Sequence, residues 1–138
     1  MTIQFDTKVA ILVLDDLAVW QKLNVTAFLA TGIAAAAPDS IGKPYVDAAG
    51  RTYAALLGEP VMILSATPEV LARACRQALD RDLTCAAYVR TMFETGHDAA
   101  NREAFLAEDP GAKDLVGLAL RGPRKDVDKA IKGAKLHS

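Results

Sequence analysis

Two groups of residues in this chain of 138 residues have the types and spacing to do chemistry. The first is Asp15-Asp16, which closes the apolar run "KVAILVL" at 8–14, together with Lys22 a little further on. In open α/β sheets ligands gather beyond the carboxyl ends of the strands. A lysine beside a carboxylate at such a place orients water or stabilises a developing oxyanion, which makes Lys22, Asp15 and Asp16 the candidate catalytic residues. Asp16 would also serve as a helix cap, with Lys22 left to solvent. The second group is Arg121, Gly122, Arg124 and Lys125, where the strand-like "DLVGLAL" runs through Gly-Pro into "RKDVDKAIKGAKL".

The free amides at a helix start carry the positive end of its dipole. Cations there each cost a few tenths of a kcal/mol, and an anion reverses that sign. Six basic and two acidic residues lie between Arg121 and Lys135. Arg121, Gly122, Arg124 and Lys125 are therefore the candidate ligand-binding set, for a phosphate or a carboxylate. Asp126 and Asp128 provide an internal alternative for neutralising them. His97, in "ETGHD", has the type for a general base, although the position also suits a helix start at Asp98.

Motifs of other kinds are missing from the sequence. "DAAGRT" at 47–52 lacks the strand-to-helix context of a phosphate loop, and no nucleophile triad stands out. Cys75 and Cys85 lack Cys-x-x-Cys spacing and neighbouring histidines, so they read as reduced core thiols, with neither a metal nor a cofactor expected.

The elements that must position these residues alternate. Strands are expected at 8–14, 60–65, 83–89 and 114–120, with helices at Leu17–Ala37, over "ATPEVLARACRQALD", at 97–108 and after Gly122-Pro123, where Pro123 suits the first helical position. Thr67, Pro68 and Glu69 mark the second helix start as cap, first residue and first-turn acid. The segment 39–58 reads as a hairpin-like excursion turning at Ala49-Gly50. The pattern predicts a single α/β domain over 1–138. It has three layers, with a mixed, mostly parallel sheet of about four main strands and helices on both faces.

The first helix carries no charge from Leu23 to Pro38, which predicts burial nearly all round, against the sheet on one side and a second subunit on the other. Polar residues Asn24, Thr26 and Thr31 argue against a membrane span. With 51% hydrophobic and 24% charged residues and a formal net charge of -1, the composition is that of an ordinary globular protein rather than a nucleic-acid coat. "MTIQFDTK" has no signal-peptide layout, and a cytoplasmic location is expected.

"KVAILVLDDL" followed by "QKLNVTAFLATG", and "LVGLAL" followed by "GP" and "VDKAIKGAKL", resemble the first strand and helix and the C-terminal end of the type II peptidyl-tRNA hydrolases. "VGLALRGPRK" is similar to the most specific marker of an uncharacterised bacterial domain-of-unknown-function family thought to share that fold. The resemblance implies a compact α/β domain, often dimeric, with Lys22 where the hydrolases place a lysine implicated in catalysis. "QKLNVT" keeps only the lysine of the hydrolase helix motif, and "EDPGAKD" stands where they carry an Asp-Ala-Gly loop, so their catalytic aspartate transfers to no residue.

The expectation is thus a protein with a peptidyl-tRNA hydrolase II-like fold and an anionic ligand, a small molecule or an RNA end, near the start of the last helix. The alternatives are a hydrolase of peptidyl-tRNA or a related ester, and a non-catalytic homodimeric binding or accessory module.

Overall fold

The computed structural model describes residues 5–138, so half of "MTIQFDTK" lies outside the described residues. The chain runs β1 (Thr7–Leu14), α1 (Val19–Ala36), β2 (Tyr45–Val46), β3 (Thr52–Tyr53), β4 (Val61–Ala66), α2 (Pro68–Asp80) and β5 (Thr84–Val89). It continues through a 3-10 turn at Arg90–Glu94 to α3 (Asp98–Leu106), β6 (Leu115–Pro123), α4 (Arg124–Ala130) and β7 (Lys135–Leu136).

Five strands form one sheet in the order β5-β6-β1-β4-β7. β1 pairs parallel with β4 and antiparallel with β6, β5 pairs antiparallel with β6, and β7 antiparallel with β4. β1, β4 and β5 therefore point the same way. Only β1 and β4 are parallel neighbours, however, because β6 inserts between β1 and β5 and runs against both. The sheet is mixed, as expected, but it is not mostly parallel in its pairing, and the short β7 raises the strand count above four.

Helices cover both faces. Ala86 of β5 meets Gly32 of α1, whereas its neighbour Cys85 meets Cys75 of α2; successive strand residues point to opposite faces, so α1 and α2 lie on opposite sides of the sheet. α4 packs beside α2. Between the layers Val9–Leu14 of β1 are all within 3% exposure, which is why their sequence is a continuous apolar run rather than an alternating one.

α1 is buried along one stripe, Val25, Leu29 and Ile33, and not all round: Val19, Trp20, Leu23 and Phe28 are more than half exposed. A helix lying on one face of a sheet has only one side covered within its own chain. The helix begins at Val19 with Ala18, not Asp16, at the cap position, where the Ala18 N–H donates to Gln21 Oε1 at 3.0 Å. At α2 the expected cap is present, with Thr67 Oγ1 accepting from the Val70 N–H at 3.3 Å.

The C-terminal expectations need two corrections. Gly122-Pro123 does not turn out of the strand: β6 continues to Pro123, in register with Thr7, and α4 starts one residue later. Nor does the helix run to the end of the chain. It stops at Ala130, and Gly133 takes a φ of +96° that favours glycine, releasing Lys135–Leu136 to pair with β4. The 39–58 excursion is a small hairpin, in which Asp47 Oδ1 accepts from the Ala49 and Arg51 amides at 2.9 and 3.0 Å. The Arg51 amide first, with the other donors, holds the Asp47 carboxyl below its usual range.

Close packing of α1 depends on Gly117 of β6. A Cβ there would overlap Val25 Cγ1 and come within 2.9 Å of Leu29 Cδ1. Gly117→Ala should lower unfolding free energy by about 1–3 kcal/mol through overpacking, read as a shifted urea midpoint at unchanged slope.

Candidate functional site

The two sequence-derived clusters are not one site. β6 is antiparallel to β1, so Arg121 to Lys125 lie at the amino end of β1, while Asp15, Asp16 and the start of α1 lie beyond its carboxyl end. The eight residues of β1 separate the two ends by about 23 Å at 3.3 Å per residue. A single reaction centre drawing on both groups is geometrically excluded.

At the amino end Arg121 and Arg124 already have partners. Arg121 Nε donates to Glu59 Oε1 at 3.1 Å, and Thr7 Oγ1 donates to Glu59 Oε2 at 2.8 Å. The Arg121 and Glu59 side chains are only 16% and 7% exposed. Arg124 donates Nε and Nη2 to the Phe5 carbonyl at 3.2 and 3.1 Å, and its amide donates to the Asp6 carbonyl at 3.0 Å. Asp126 pairs with Arg81 and Asp128 with Lys8. The basic character of this end therefore fastens β1, β6 and α4 together, with Gly122 packed under Leu83 and Lys125 on the surface.

At the carboxyl end Lys22 is half-buried and its Nζ lies 3.2 Å from His137 Nε2. The pairing of β7 with β4 brings His137 there, with the His137 N–H donating to the Ile63 carbonyl at 3.1 Å. With Lys22 as the donor, the ring carries its proton on Nδ1, which faces the Ser138 carbonyl at 2.9 Å. Asp15 and Asp16 are exposed. The Asp15 amide is tied to the Ala66 carbonyl at 3.0 Å.

A more enclosed place lies on the other flank of α1. Two adjoining hollows of about 590 and 400 Å³ run between α1, β5 and α3. Leu29, Gly32 and Ala86 floor the larger one, and Phe28, Met92 and Phe105 wall it. A chain of aromatic contacts borders the smaller: Trp20 to Phe93 at 5.7 Å, Phe93 to Tyr88 at 5.3 Å, and Tyr88 to Phe28 at 6.0 Å. Rings at such separations attract one another edge-to-face or tilted.

Besides the Asp98–Arg102 ion pair at 2.5 Å on its border, few polar groups enter this cleft. Asn24 Nδ2 donates to the Tyr88 hydroxyl at 3.3 Å, which leaves the phenolic proton available to a ligand acceptor. Burial pushes the Tyr88 hydroxyl above its ordinary pKa, against the opposing Asn24 bond, so the phenol stays protonated at neutral pH. Asn101 and Thr95 are hydrogen-bonded through their side chains. α3 starts at Asp98, as expected, and His97 caps it: its Nδ1 accepts from the Ala100 N–H at 3.1 Å. With Nδ1 engaged in that bond, Nε2 is the ring nitrogen left over on the border of the smaller hollow.

Of the residues singled out in the sequence only His97, with Asp98, borders this cleft. Tyr88, Thr95 and Asn101 were not singled out, and Asn24 was noted only as a polar interruption of the first helix. The usable signal was Trp20, Asn24 and Phe28 at successive i, i+4 positions, a second helical stripe beside the buried Val25, Leu29 and Ile33.

A model of the family described as "Protein of unknown function (DUF2000)" matches residues 7–138. A solved structure of a protein of unknown function, Atu0240 from Agrobacterium tumefaciens strain C58, is similar at 50% sequence identity and a TM-score of 0.93, covering 98% of this chain and 100% of its own. No curated protein matches the chain.

The ion pair at the amino end of β1 separates a structural from a ligand-binding role for the basic residues. Glu59→Ala or Arg121→Ala, which leaves the other buried charge alone, should cost about 3–5 kcal/mol in chemical denaturation. Lys125→Ala should stay within about 0.5 kcal/mol.

Proposed function

We propose that this chain, which belongs to the DUF2000 family, is a small-molecule-binding domain whose ligand sits in the cleft between α1, β5 and α3. The observation that carries the reading is the cleft's composition: apolar and aromatic walls with a few convergent polar groups, from Tyr88, His97 and Asn101. Sites for small organic ligands have this make-up and this range of volume. Asp98 and Arg102 also border the cleft but pair with each other, and the walls are otherwise largely carbon, so the fitting ligand is a flat, mostly apolar molecule bearing a carbonyl or carboxylate.

Trp20 is the single tryptophan of the chain and borders the cleft. Titrating aromatic and alicyclic carboxylates and ketones against its emission should therefore report occupancy directly. Tyr88→Phe and Asn101→Ala should each weaken a bound member of the series about 5- to 10-fold, the scale of one hydrogen bond. Emission unmoved across the series, or affinity unchanged in both variants, would sink the reading.

A second reading rests on Lys22 and its contact with His137. The resemblance of the first strand and helix and of the C-terminal segment to the type II peptidyl-tRNA hydrolases supports a shared fold, and with it ester hydrolysis beyond the carboxyl ends of β1 and β4. There Lys22 would steady a developing oxyanion while Asp15 or Asp16 orients water. Phosphate contacts from the Arg121 cluster have no part in this version, because that cluster lies at the opposite end of β1. Lys22→Ala should abolish turnover of a peptidyl-ester substrate without changing the melting temperature by more than a few degrees. Turnover surviving in that variant would refute it.

The exposed Val19, Leu23 and Phe28 on a helix with no charge after Lys22 favour a homodimer through α1 as the state in which either function operates. Leu23→Glu should then convert a dimer to a monomer in sedimentation equilibrium.

A further inference from the structure

On the sheet face opposite the cleft, α2 and β5 bring two thiols together. Cys75 and Cys85 are both half-buried and free, and their side chains are within hydrogen-bonding reach of one another. They differ in what else they meet. Cys75 opens into a hollow of about 190 Å³ between α2 and the 110–113 loop, bordered by Arg76 and Lys113, whereas Cys85 does not border it. Lys113 is held in place there, with Nζ donating to the Pro110 carbonyl at 3.0 Å and lying 5.9 Å from the Phe105 ring centre. One sulfur thus faces an opening flanked by cations, and its partner stands behind it.

The electrostatics follow the geometry. The S–H of Cys85 donates to Cys75 sulfur, and with Lys113 and Arg76 this outweighs partial burial and holds the Cys75 thiol down to about 6. The same hydrogen bond, then burial, pushes the Cys85 thiol up. Both effects favour a thiolate on the accessible sulfur and a protonated thiol behind it. Such a thiolate beside cations and next to a second thiol is the arrangement in which cysteine oxidation is fast and reversible.

We propose that Cys75 and Cys85 are a peroxide-responsive dithiol, with Cys75 the attacking sulfur and Cys85 the resolving one. In the first step Cys75 sulfur attacks the terminal oxygen of a small hydroperoxide. The S–O bond forms, the O–O bond breaks, and the departing alkoxide or hydroxide takes a proton from water. In the second, Cys85 sulfur attacks the sulfenic acid: the S–S bond forms, the S–O bond breaks, and the released hydroxide leaves as water with the proton of Cys85. Two thiols and one hydroperoxide become one disulfide, one alcohol or water, and one water. The two electrons lost by the sulfurs reduce the O–O bond.

The test uses the reduced full chain and hydrogen peroxide at one equivalent, quenched with N-ethylmaleimide and read by intact mass and peptide mapping. The expected product is 2 Da lighter, takes up no maleimide and yields a Cys75–Cys85 cross-linked peptide. Cys85→Ser should stop at a sulfenic acid on Cys75 that dimedone traps, and Cys75→Ser should leave Cys85 unmodified. In the untreated wild type, alkylation of Cys75 should titrate with a midpoint near pH 6 rather than the roughly 8.5 of an ordinary thiol. An ordinary midpoint for Cys75, equal alkylation of the two cysteines at neutral pH, or oxidation of Cys75 to sulfinic acid with no intramolecular disulfide would each overturn the proposal. The wild-type measurements decide the matter even if a variant fails to fold.

Discussion

The antiparallel pairing of β1 with β6 is the contact on which the rest of this structure depends. It runs in unbroken register from Thr7 opposite Pro123 to Val13 opposite Gly117, joining the two ends of the chain at the centre of the sheet. Burial on both faces makes this pair the middle of the core, with Val9–Leu14 on one strand and Leu115–Leu120 on the other. The reversed direction of β6 has a further effect. It carries the basic segment that follows β6 to the amino end of β1, away from the strand ends where α/β sheets usually gather ligands.

That displacement explains the concentration of charge in the C-terminal segment. Arg121 answers Glu59, Arg124 the Phe5 and Asp6 carbonyls, Asp128 Lys8, and Asp126 Arg81. Each contact spans a long stretch of sequence, and together they clamp the beginning of the chain and the turn before β4 onto the end of β6. Arg121 and Glu59 are the best shielded of these pairs, so their attraction is weakened least by solvent and salt. The exposed Arg102–Asp98 pair on α3 contributes far less.

The cleft has a different origin. Gly117 and Gly32 let α1 lie close over β6 and β5, while α3 buries none of its residues fully and leans against the Arg90–Glu94 turn rather than against the sheet. The space between the tightly seated helix and the loosely seated one is the hollow. An element with so few buried apolar contacts belongs to the less stable part of a fold, and this suits a wall that must admit a ligand.

By itself the sequence determined the local features. The continuous apolar runs became β1, β4, β5 and β6; Thr67-Pro68 opened α2; and the turn residues 47–52 closed a hairpin. These follow from side-chain periodicity and capping, which act over a few residues. The family resemblance, too, was legible in "VGLALRGPRK". Tertiary structure alone decided the order and direction of strands, and with them which residues share a site. It separated Lys22 from Arg121, brought His137 to Lys22 and Cys85 to Cys75, and gathered Asn24, Tyr88 and Asn101 around one hollow. It also halted α4 early, because Gly133 and the open edge of β4 offered the last residues a strand instead of another helical turn. Those outcomes depend on pairings between segments far apart in the chain, whose energies no local pattern encodes.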